Sequence, residues 1–333
     1  MKTPSWPKVQ SAYDQPINHQ EDRPLIVIVG PTAVGKTALA VRLAEAVGGE
    51  IVSADSRQVY RGMDIGTAKA TPEERSRVPH HLLDLLNPDE SLSLAQFQDL
   101  AYQTIEEILG RGRVPFLVGG TGQYVMAVVE GWQIPHVPPD RTLRDRLYRQ
   151  AIKQGAEALH ARLCALDPVA AERIDPRNVR RVIRALEVCL ITGQPISEQQ
   201  RKLPPPYRML ILGLTIPRPQ LYQRIDERVE QMMRAGLEEE VRHLVAKGYS
   251  FELPSMSGVG YIQFAPYLAG EVPLSEVVQT IKRASRCFVR QQSTWFRRDD
   301  PRIHWLDATS DPYPTAWDLV NRFLRLTGNA QTA

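Results

Sequence analysis

Eight consecutive residues near the start of the chain have the types and spacing needed to hold phosphate. Residues 30–37 fit the pattern Gly-x4-Gly-Lys-Thr. In such a loop the backbone N–H groups converge on phosphate oxygens, the lysine adds a point charge, and the threonine hydroxyl can bind Mg²⁺. We call these residues the phosphate loop and expect all of them to bind a nucleotide or another diphosphate: Gly30, Pro31, Thr32, Ala33, Val34, Gly35, Lys36 and Thr37.

Two further polar positions follow strand-like runs. Asp55 comes shortly after Glu50–Ser53, and Thr121 follows Gly119-Gly120 at the end of the apolar run 114–118. Ligands bind beyond the carboxyl ends of the strands of an open α/β sheet, so we expect both near the phosphate loop. A carboxylate there can bind Mg²⁺ or accept a proton, although Asp55 could instead cap a turn. The run 114–118 lacks the terminal aspartate of a Walker-B motif, which argues against a plain ATPase.

The elements that must position these residues are those of an α/β fold. An apolar run, Leu25–Val29, leads into the phosphate loop, and an apolar-periodic segment follows it, which predicts strand, loop and helix in that order. Further strands are predicted at 114–118, 209–215 and 303–306, and helices at 94–109 (with Ser93 as N-cap), 218–235, 237–247, 274–298 and about 314–326. The alternation predicts a P-loop NTPase-like parallel sheet flanked by helices.

The core domain is predicted to be interrupted by an insertion. Residues 25–136 and 208–333 form the α/β core, and residues 137–207 form a mostly helical insertion with helices at 142–155, 156–165 and 178–192. Residues 1–24 are polar, contain four prolines and lack an apolar centre, so we predict a disordered tail rather than a signal peptide. Proline-rich stretches flank the insertion on both sides.

Composition places the chain among soluble globular proteins. Apolar residues make up 43% of the 333 residues and charged residues 24%. No apolar run approaches the roughly 20 residues of a membrane helix. The three cysteines, Cys164, Cys189 and Cys287, are odd in number and far apart. They argue against a disulfide framework and a zinc site, and we expect buried or half-buried free thiols in a reducing, cytoplasmic compartment.

Positive charge is concentrated in two segments. The chain carries a net charge of +3, but residues 137–208 carry +6 and residues 280–302 carry +5, which leaves −8 for the remainder. This pattern predicts a polyanionic partner in addition to a small phosphate. Arg180, Arg181 and Arg184 lie within one helical turn and could contact phosphates; the alternative is a solvated basic face. Lys282, Arg286 and Arg290 recur at four-residue steps and favour nucleic acid in the same way.

Several segments together resemble one family. They are residues 30–37, 54–60 (Ala-Asp-Ser-Arg-Gln-Val-Tyr), 63–69, 79–84, 118–124 (Val-Gly-Gly-Thr-Gly-Gln-Tyr), 184–188, 258–261 and 291–297 (Gln-Gln-Ser-Thr-Trp-Phe-Arg). The chain is similar to the bacterial tRNA dimethylallyltransferases, also called tRNA isopentenyltransferases or IPP transferases. The phosphate loop is shared by many families, whereas the segments around Asp55 and Thr121 are much more specific.

The resemblance implies a reaction and the residues that perform it. A dimethylallyl group would move from dimethylallyl diphosphate to the exocyclic N6 amine of the adenosine 3′ of a tRNA anticodon, with Mg²⁺ as cofactor. The implied catalytic residues are Asp55 as proton acceptor, Thr32, Lys36 and Arg228, and Thr37 would bind the metal. The positions implied to contact tRNA are Asp55, Ser56, Arg57, Gln58, Thr121, Arg144, Arg180, Arg181 and Arg184. The resemblance further leads us to expect a cytoplasmic monomer without membrane contact.

The chain also departs from the family pattern. Many relatives have a basic residue in place of Ser257 and a charged one in place of Ile262. Two other functions stay open from the residues: an ATP-dependent small-molecule kinase with the same loop, and an RNA-binding module without catalysis.

Overall fold

The computed structural model describes residues 23–328. Nearly all of the predicted tail, residues 1–22, lies outside the described residues, and Pro24 is already the first residue of a strand. The described residues form two compact units. Val129–Pro205 is the second unit, and the first consists of the residues before and after it.

The first unit is built on a six-stranded parallel sheet. Its strands lie side by side in the order β3-β2-β4-β1-β5-β6. Because its residues Leu25 to Val29 are fully buried, the central strand β1 is covered on both faces, as is typical of parallel sheets. The predicted α/β fold is confirmed. The strands are β1 (Pro24–Val29), β2 (Glu50–Ser53), β3 (His80–His81), β4 (Pro115–Gly119), β5 (Arg208–Thr215) and β6 (Ile303–Asp307).

Helices cover the sheet in the first unit and make up most of the second. Within residues 23–328 they are α1 (Lys36–Val47), α2 (Pro72–Arg77), α3 (Leu94–Gly110), α4 (Gly122–Val129), α5 (Arg141–Gln154), α6 (Ala156–Leu166), α7 (Pro168–Arg173), α8 (Val179–Thr192), α9 (Ile196–Gln199), α10 (Arg218–Arg234), α11 (Leu237–Ala246), α12 (Ala265–Leu268), α13 (Leu274–Gln292) and α14 (Tyr313–Gly328).

Local sequence signals explain where several of these helices begin. Ser93 caps α3 as predicted: its hydroxyl accepts the N–H of Gln96, and the Gln96 side chain accepts the N–H of Ser93 in return, at 3.2 and 2.9 Å. The prediction for α13 was wrong at its end, because the helix stops at Gln292 rather than at residue 298. The chain turns after Gln292, and this turn buries Phe296.

The second unit has its own apolar core, formed among others by Leu147, Leu159 and Leu186. The three predicted helices agree with α5, α6 and α8 to within one residue, and the short helices α7 and α9 were not predicted. The unit begins earlier than the proline-rich stretch suggested, because its two ends pair with each other. Gln133 N–H donates to Arg201 O at 2.7 Å, and Leu203 N–H donates to Gly131 O at 2.8 Å.

Candidate active site

Three loops leave the carboxyl ends of neighbouring strands and line one cavity. The phosphate loop follows β1, Asp55 follows β2, and Thr121 follows β4. Strand β4 lies between β1 and β2, so the three strand ends are adjacent. This is the rim at which open α/β sheets bind ligands. The cavity has a volume of about 660 Å³, which lies within the range typical of small-molecule sites.

The cavity combines charged groups with an apolar lining. Lys36, Asp55 and Arg228 supply the charges that concern the predicted chemistry. Helices α10 and α13 supply an apolar part, and these side chains are Ile225, Val229, Met232, Ile281 and Phe288. A ligand with an anionic end and a hydrocarbon end is therefore compatible with this lining.

The phosphate loop has the backbone shape of an anion-binding nest. Gly35 precedes α1 in the left-handed region with φ +101°, and Ala33 also has a positive φ of 67°. Glycine adopts this region freely, whereas alanine rarely does, so the turn is imposed by the loop as a whole. Such turns direct successive N–H groups toward one point, beside the positive end of α1.

Two basic side chains face the cavity. Lys36 Nζ donates to the Pro31 carbonyl at 2.8 Å within the same loop. Burial, together with the positive charge of Arg228, lowers the pKa of Lys36 to about 8, although Asp55 opposes this shift. Burial also lowers the pKa of Arg228 from its ordinary value. Both shifts show that two cations crowd a poorly solvated space, which is favourable for binding an anion.

Asp55 forms a turn and also faces the cavity. Its Oδ1 accepts the N–H of Arg57 at 2.8 Å, which forms a turn, and the side chain also lines the cavity. Thr121 Oγ1 accepts the N–H of Ser56 at 3.1 Å and so ties the loop after β4 to the loop after β2. The side chains predicted from these two segments are thus held together at the rim.

Gln58 and Arg57 line the cavity but already have partners inside the protein. Gln58 Oε1 accepts from Ser53 Oγ at 3.1 Å, and its Nε2 donates to the carbonyls of Thr67 and Ala68 at 3.2 Å. The Arg57 guanidinium donates to the carbonyls of Pro254 and Ser255. Both side chains therefore brace neighbouring loops.

Ser257, where the resemblance led us to expect a basic residue, bonds back to its own loop. Ser257 Oγ donates to Pro254 O at 2.7 Å and lines the cavity. Ile262 begins a short 3-10 turn, Ile262–Phe264. Neither residue carries a charge, and the guanidinium of Arg57 contacts the same loop.

The arginines predicted to meet tRNA fall into two groups in the second unit. Glu187 is fully buried and accepts from Arg144 at 2.7 Å and from Arg184 at 2.6 Å. Although burial raises the pKa of Glu187, the hydrogen bonds from Arg144 and Arg184 outweigh this and lower it. Arg180 and Arg181 are exposed, and neither side chain has an ion-pair partner among residues 23–328. Arg144 and Arg184 therefore stabilise the unit, and Arg180 and Arg181 are left available to a partner.

The basic stripe on α13 was misinterpreted. Lys282 Nζ lies 2.5 Å from Glu230 Oε1, and Arg286 forms an ion pair with Asp226. Both acidic residues belong to α10, so two of the three basic side chains that favoured nucleic acid hold α10 and α13 together. Arg290 donates to Cys287 Sγ at 2.8 Å.

Two residues that the sequence analysis did not single out hold the loops of the cavity. Gln292, the last residue of α13, bonds both Thr32 and Gly120. Glu240 accepts the backbone N–H groups of residues 64–66 at 2.7–3.0 Å, and also the Tyr261 hydroxyl at 2.7 Å. The segment Gln-Gln-Ser-Thr-Trp-Phe-Arg contained Gln292, but nothing in its spacing indicated a role.

Metal-ligating clusters and paired cysteines are absent from the part of the chain that the structure describes. Residues 23–328 contain no group of three or more His, Cys, Asp or Glu residues that could hold a metal ion. Cys189 is buried as expected, whereas Cys164 and Cys287 are exposed, so the expectation for these two thiols was wrong. Within the same residues, every helix is too short or too polar to span a bilayer.

These features define a P-loop α/β protein with a helical insertion. Its cavity lies at the carboxyl ends of the strands and is lined by cations, a carboxylate and apolar side chains. Comparison with known proteins narrows this class. A family model described as IPP transferase matches residues 58–299, and a second, described as Isopentenyl transferase, matches residues 24–84. The chain belongs to the IPP transferase family.

Individual relatives and solved structures agree with this assignment. The chain is 59% identical to the tRNA dimethylallyltransferase of Roseiflexus sp. (strain RS-1), over 90% of this chain and 99% of that protein. It is 50% identical to the enzyme of the same name from Thermomicrobium roseum, over 91% and 92%. A full-length tRNA isopentenylpyrophosphate transferase from Bacillus halodurans superposes with a TM-score of 0.68 at 43% identity, over 93% and 100% of the chains. A eukaryotic dimethylallyltransferase described as acting on tRNA superposes with a TM-score of 0.74 at 28% sequence identity, over 89% of this chain and 76% of that chain.

Proposed function

We propose that this protein transfers the dimethylallyl group of dimethylallyl diphosphate to the exocyclic N6 amine of the adenosine 3′ of the anticodon in tRNA. The observation that carries the proposal is that Lys36, Arg228 and Asp55 line the same cavity as a set of apolar side chains. An isoprenyl diphosphate needs cations at one end and hydrocarbon contacts at the other, and its amine acceptor needs a base.

The donor would be bound and activated at the phosphate loop. The loop N–H groups, Lys36 and Arg228 would hold the diphosphate, with Thr32 lining the same space. When the allylic C–O bond breaks, its electron pair stays on the departing diphosphate. Preorganised donors in a poorly solvated site stabilise the charge that develops there, so they accelerate this step.

Asp55 would accept the proton of the acceptor amine. The N6 lone pair is delocalised into the adenine ring, so the amine is a weak nucleophile. As N6 forms its bond to the allylic carbon, it becomes cationic and must lose a proton, which a carboxylate in reach can take. General-base catalysis typically contributes about 10²–10⁴-fold to the rate. A base in a hairpin loop can be unstacked at low cost to reach such a cavity.

Magnesium fits this residue set as a partner of the diphosphate. Mg²⁺ is usually bound by one or two protein oxygens together with substrate phosphates rather than by a full protein cage. Thr37 lines the cavity and would supply a hydroxyl oxygen, and residues 23–328 contain no group of three or more His, Cys, Asp or Glu residues that could hold a metal ion. When bound, the ion supplies positive charge to the leaving diphosphate.

The exposed arginines of the second unit would contact the tRNA backbone. Arg180 and Arg181 are free of ion pairs within the described part of the chain, and they lie in the first turn of α8. Phosphate contacts of this kind position an RNA without reading its sequence. At the rim, Ser56 and Thr121 are proposed to meet the target nucleotide.

A transfer assay tests the proposal against its alternatives. Labelled dimethylallyl diphosphate and Mg²⁺ are offered with a tRNA that has adenosine 3′ of its anticodon, and in parallel with the same tRNA carrying guanosine there. We expect label only in the adenosine tRNA, and no competition by ATP in excess. Label in neither tRNA contradicts the proposal.

Asp55→Asn removes the proton-accepting carboxylate but keeps the turn, because an asparagine oxygen can still accept the N–H of Arg57. We expect its turnover to fall by about 10²–10⁴-fold while tRNA affinity is retained. Asp318→Asn, at an exposed position of α14, is the matched control and should keep full turnover. An Asp55→Asn enzyme with normal turnover would place the base elsewhere.

A further inference from the structure

One buried amide joins the two loops on which the proposed reaction depends. Gln292 is 5% exposed and ends α13. Its Oε1 accepts the N–H of Thr32 in the phosphate loop at 2.9 Å. Its Nε2 donates to the carbonyl of Gly120, in the loop after β4, at 3.0 Å. We call this pair of bonds the Gln292 bridge.

The chemistry of the bridge requires an amide. One partner is a backbone donor and the other a backbone acceptor, so the side chain must accept at one terminal atom and donate at the other. Among side chains of this length, only glutamine does both while uncharged. A carboxylate would satisfy Thr32 but would place a negative oxygen against the Gly120 carbonyl.

The bridge lies in a crowded part of the cavity, near Lys36. A Cβ atom at position 120 would lie 2.5 Å from Gln292 Nε2 and 3.4 Å from Lys36 Nζ. A side chain at position 120 would therefore displace the Gln292 amide, which fills this space. Strands β1 and β4 pair as far as Val29 and Gly119, and beyond that point one side chain with two hydrogen bonds joins the phosphate loop to the loop of Thr121.

We infer that Gln292 is a positioning residue that fixes the spacing between the donor half and the acceptor half of the cavity; this rests on the proposed function. Thr32 and Lys36 lie on the donor half, and Thr121, which is tied to the segment of Asp55, lies on the acceptor half. The attacking nitrogen and the allylic carbon have to approach to about 3–3.5 Å, and a misplacement of about 1 Å can cost about 10²-fold in rate.

The test compares Gln292→Met with Gln291→Met. Methionine keeps the length of the side chain and removes both hydrogen bonds, and Gln291 is the exposed neighbour in the same helix. Single-turnover transfer is measured with donor and tRNA saturating, alongside the dissociation constant of each. For Gln292→Met we expect the rate to fall by about 10–100-fold with both dissociation constants changed by less than about threefold. Gln291→Met should match wild type.

Gln292→Glu supplies a readout that a purely structural role would not move. A protonated carboxyl both donates and accepts, so it can rebuild the bridge, whereas the carboxylate cannot. The charged groups that line the cavity are also present in wild type, so the rate is expressed relative to wild type at each pH. Lys36 favours the carboxylate, and burial beside a carbonyl favours the acid. We expect the rate of Gln292→Glu relative to wild type to rise at least about threefold from pH 8 to pH 6. The relative rate of Gln291→Glu should not change over this range.

The outcomes separate the two proposals. If wild type transfers nothing, the proposed function fails and takes the inference with it. If wild type is active and Gln292→Met is equally fast, the positioning role is wrong and the proposed function stands. The same conclusion follows if Gln292→Met slows only in proportion to its unfolded fraction and the relative rate of Gln292→Glu does not change with pH.

Discussion

The affinity of the protein for dimethylallyl diphosphate should fall as the pH rises through about 8, because Lys36 loses its proton there. Burial and the charge of Arg228 lower the pKa of Lys36 to about 8 in the free protein. The direction follows from the sign of this shift: a lysine with a lowered pKa carries its charge below that pKa and loses it above. The diphosphate binds the charged form, so binding must draw the pKa back toward its ordinary value.

The size of the effect follows from the two pKa values. If binding restores the pKa of Lys36 to its ordinary value of about 10.4, the dissociation constant rises about tenfold per pH unit above pH 8. It is then about 30-fold higher at pH 9.5 than at pH 7. A terminal phosphate loses its last proton near pH 6, so the donor keeps a constant charge across this range. Isothermal titration calorimetry in two buffers of different ionisation enthalpy measures both the affinity and the proton taken up on binding.

Lys36→Arg is the matched control, since a guanidinium stays charged over this range. Its affinity should be independent of pH between 7 and 9.5, and it should take up no proton. A wild-type affinity that is constant from pH 7 to 9.5, or an arginine variant that shows the same decline, would refute the reasoning about Lys36.

Further predictions concern the second unit. Glu187→Gln leaves Arg144 and Arg184 without a carboxylate and should lower the free energy of unfolding by about 2–3 kcal/mol. This is less than for a fully buried pair, because both arginines are partly exposed. Urea denaturation measures the change, and the exposed control Glu198→Gln should alter the free energy of unfolding by less than about 0.5 kcal/mol. Replacing Arg180 and Arg181 together by alanine should weaken tRNA binding and reduce the slope of log affinity against log salt by about 2, without loss of stability. An unchanged salt slope would remove these arginines from the RNA-binding surface.

The features that could be predicted from the sequence are those encoded by neighbouring residues. The phosphate loop combines an apolar run, glycine at the position that needs φ +101°, and a helix start within fourteen residues, Pro24 to Thr37. Ser93 and Gln96 form a capping box that can be read over four residues. The parallel sheet follows from apolar strands alternating with amphipathic helices.

The features that could not be predicted depend on partners far apart in the chain. Gln292 reaches Thr32 across 260 positions, and Glu240 reaches the backbone of residues 64–66 across more than 170. A glutamine or glutamate in an amphipathic helix carries no local mark of such a contact. These residues hold loops whose conformation no short-range rule determines.

The misinterpreted stripe on α13 shows the same limit. Lys282 and Arg286 are four residues apart, and so are their partners Asp226 and Glu230 on α10. Viewed alone, a basic stripe at helical spacing is equally compatible with RNA and with an acidic helix. Complementary spacing on a second helix was the signal that could have distinguished the two.

A doubly labelled donor tests the central claim most directly. Dimethylallyl diphosphate labelled both in its isoprenyl carbons and in its terminal phosphate is incubated with the protein, Mg²⁺ and a tRNA that has adenosine 3′ of the anticodon, and both labels are followed. We predict that the carbon label enters the tRNA as N6-dimethylallyladenosine and that the phosphate label is released as diphosphate in equal amount. Phosphate label in the tRNA, or release of diphosphate without carbon transfer, would contradict the account.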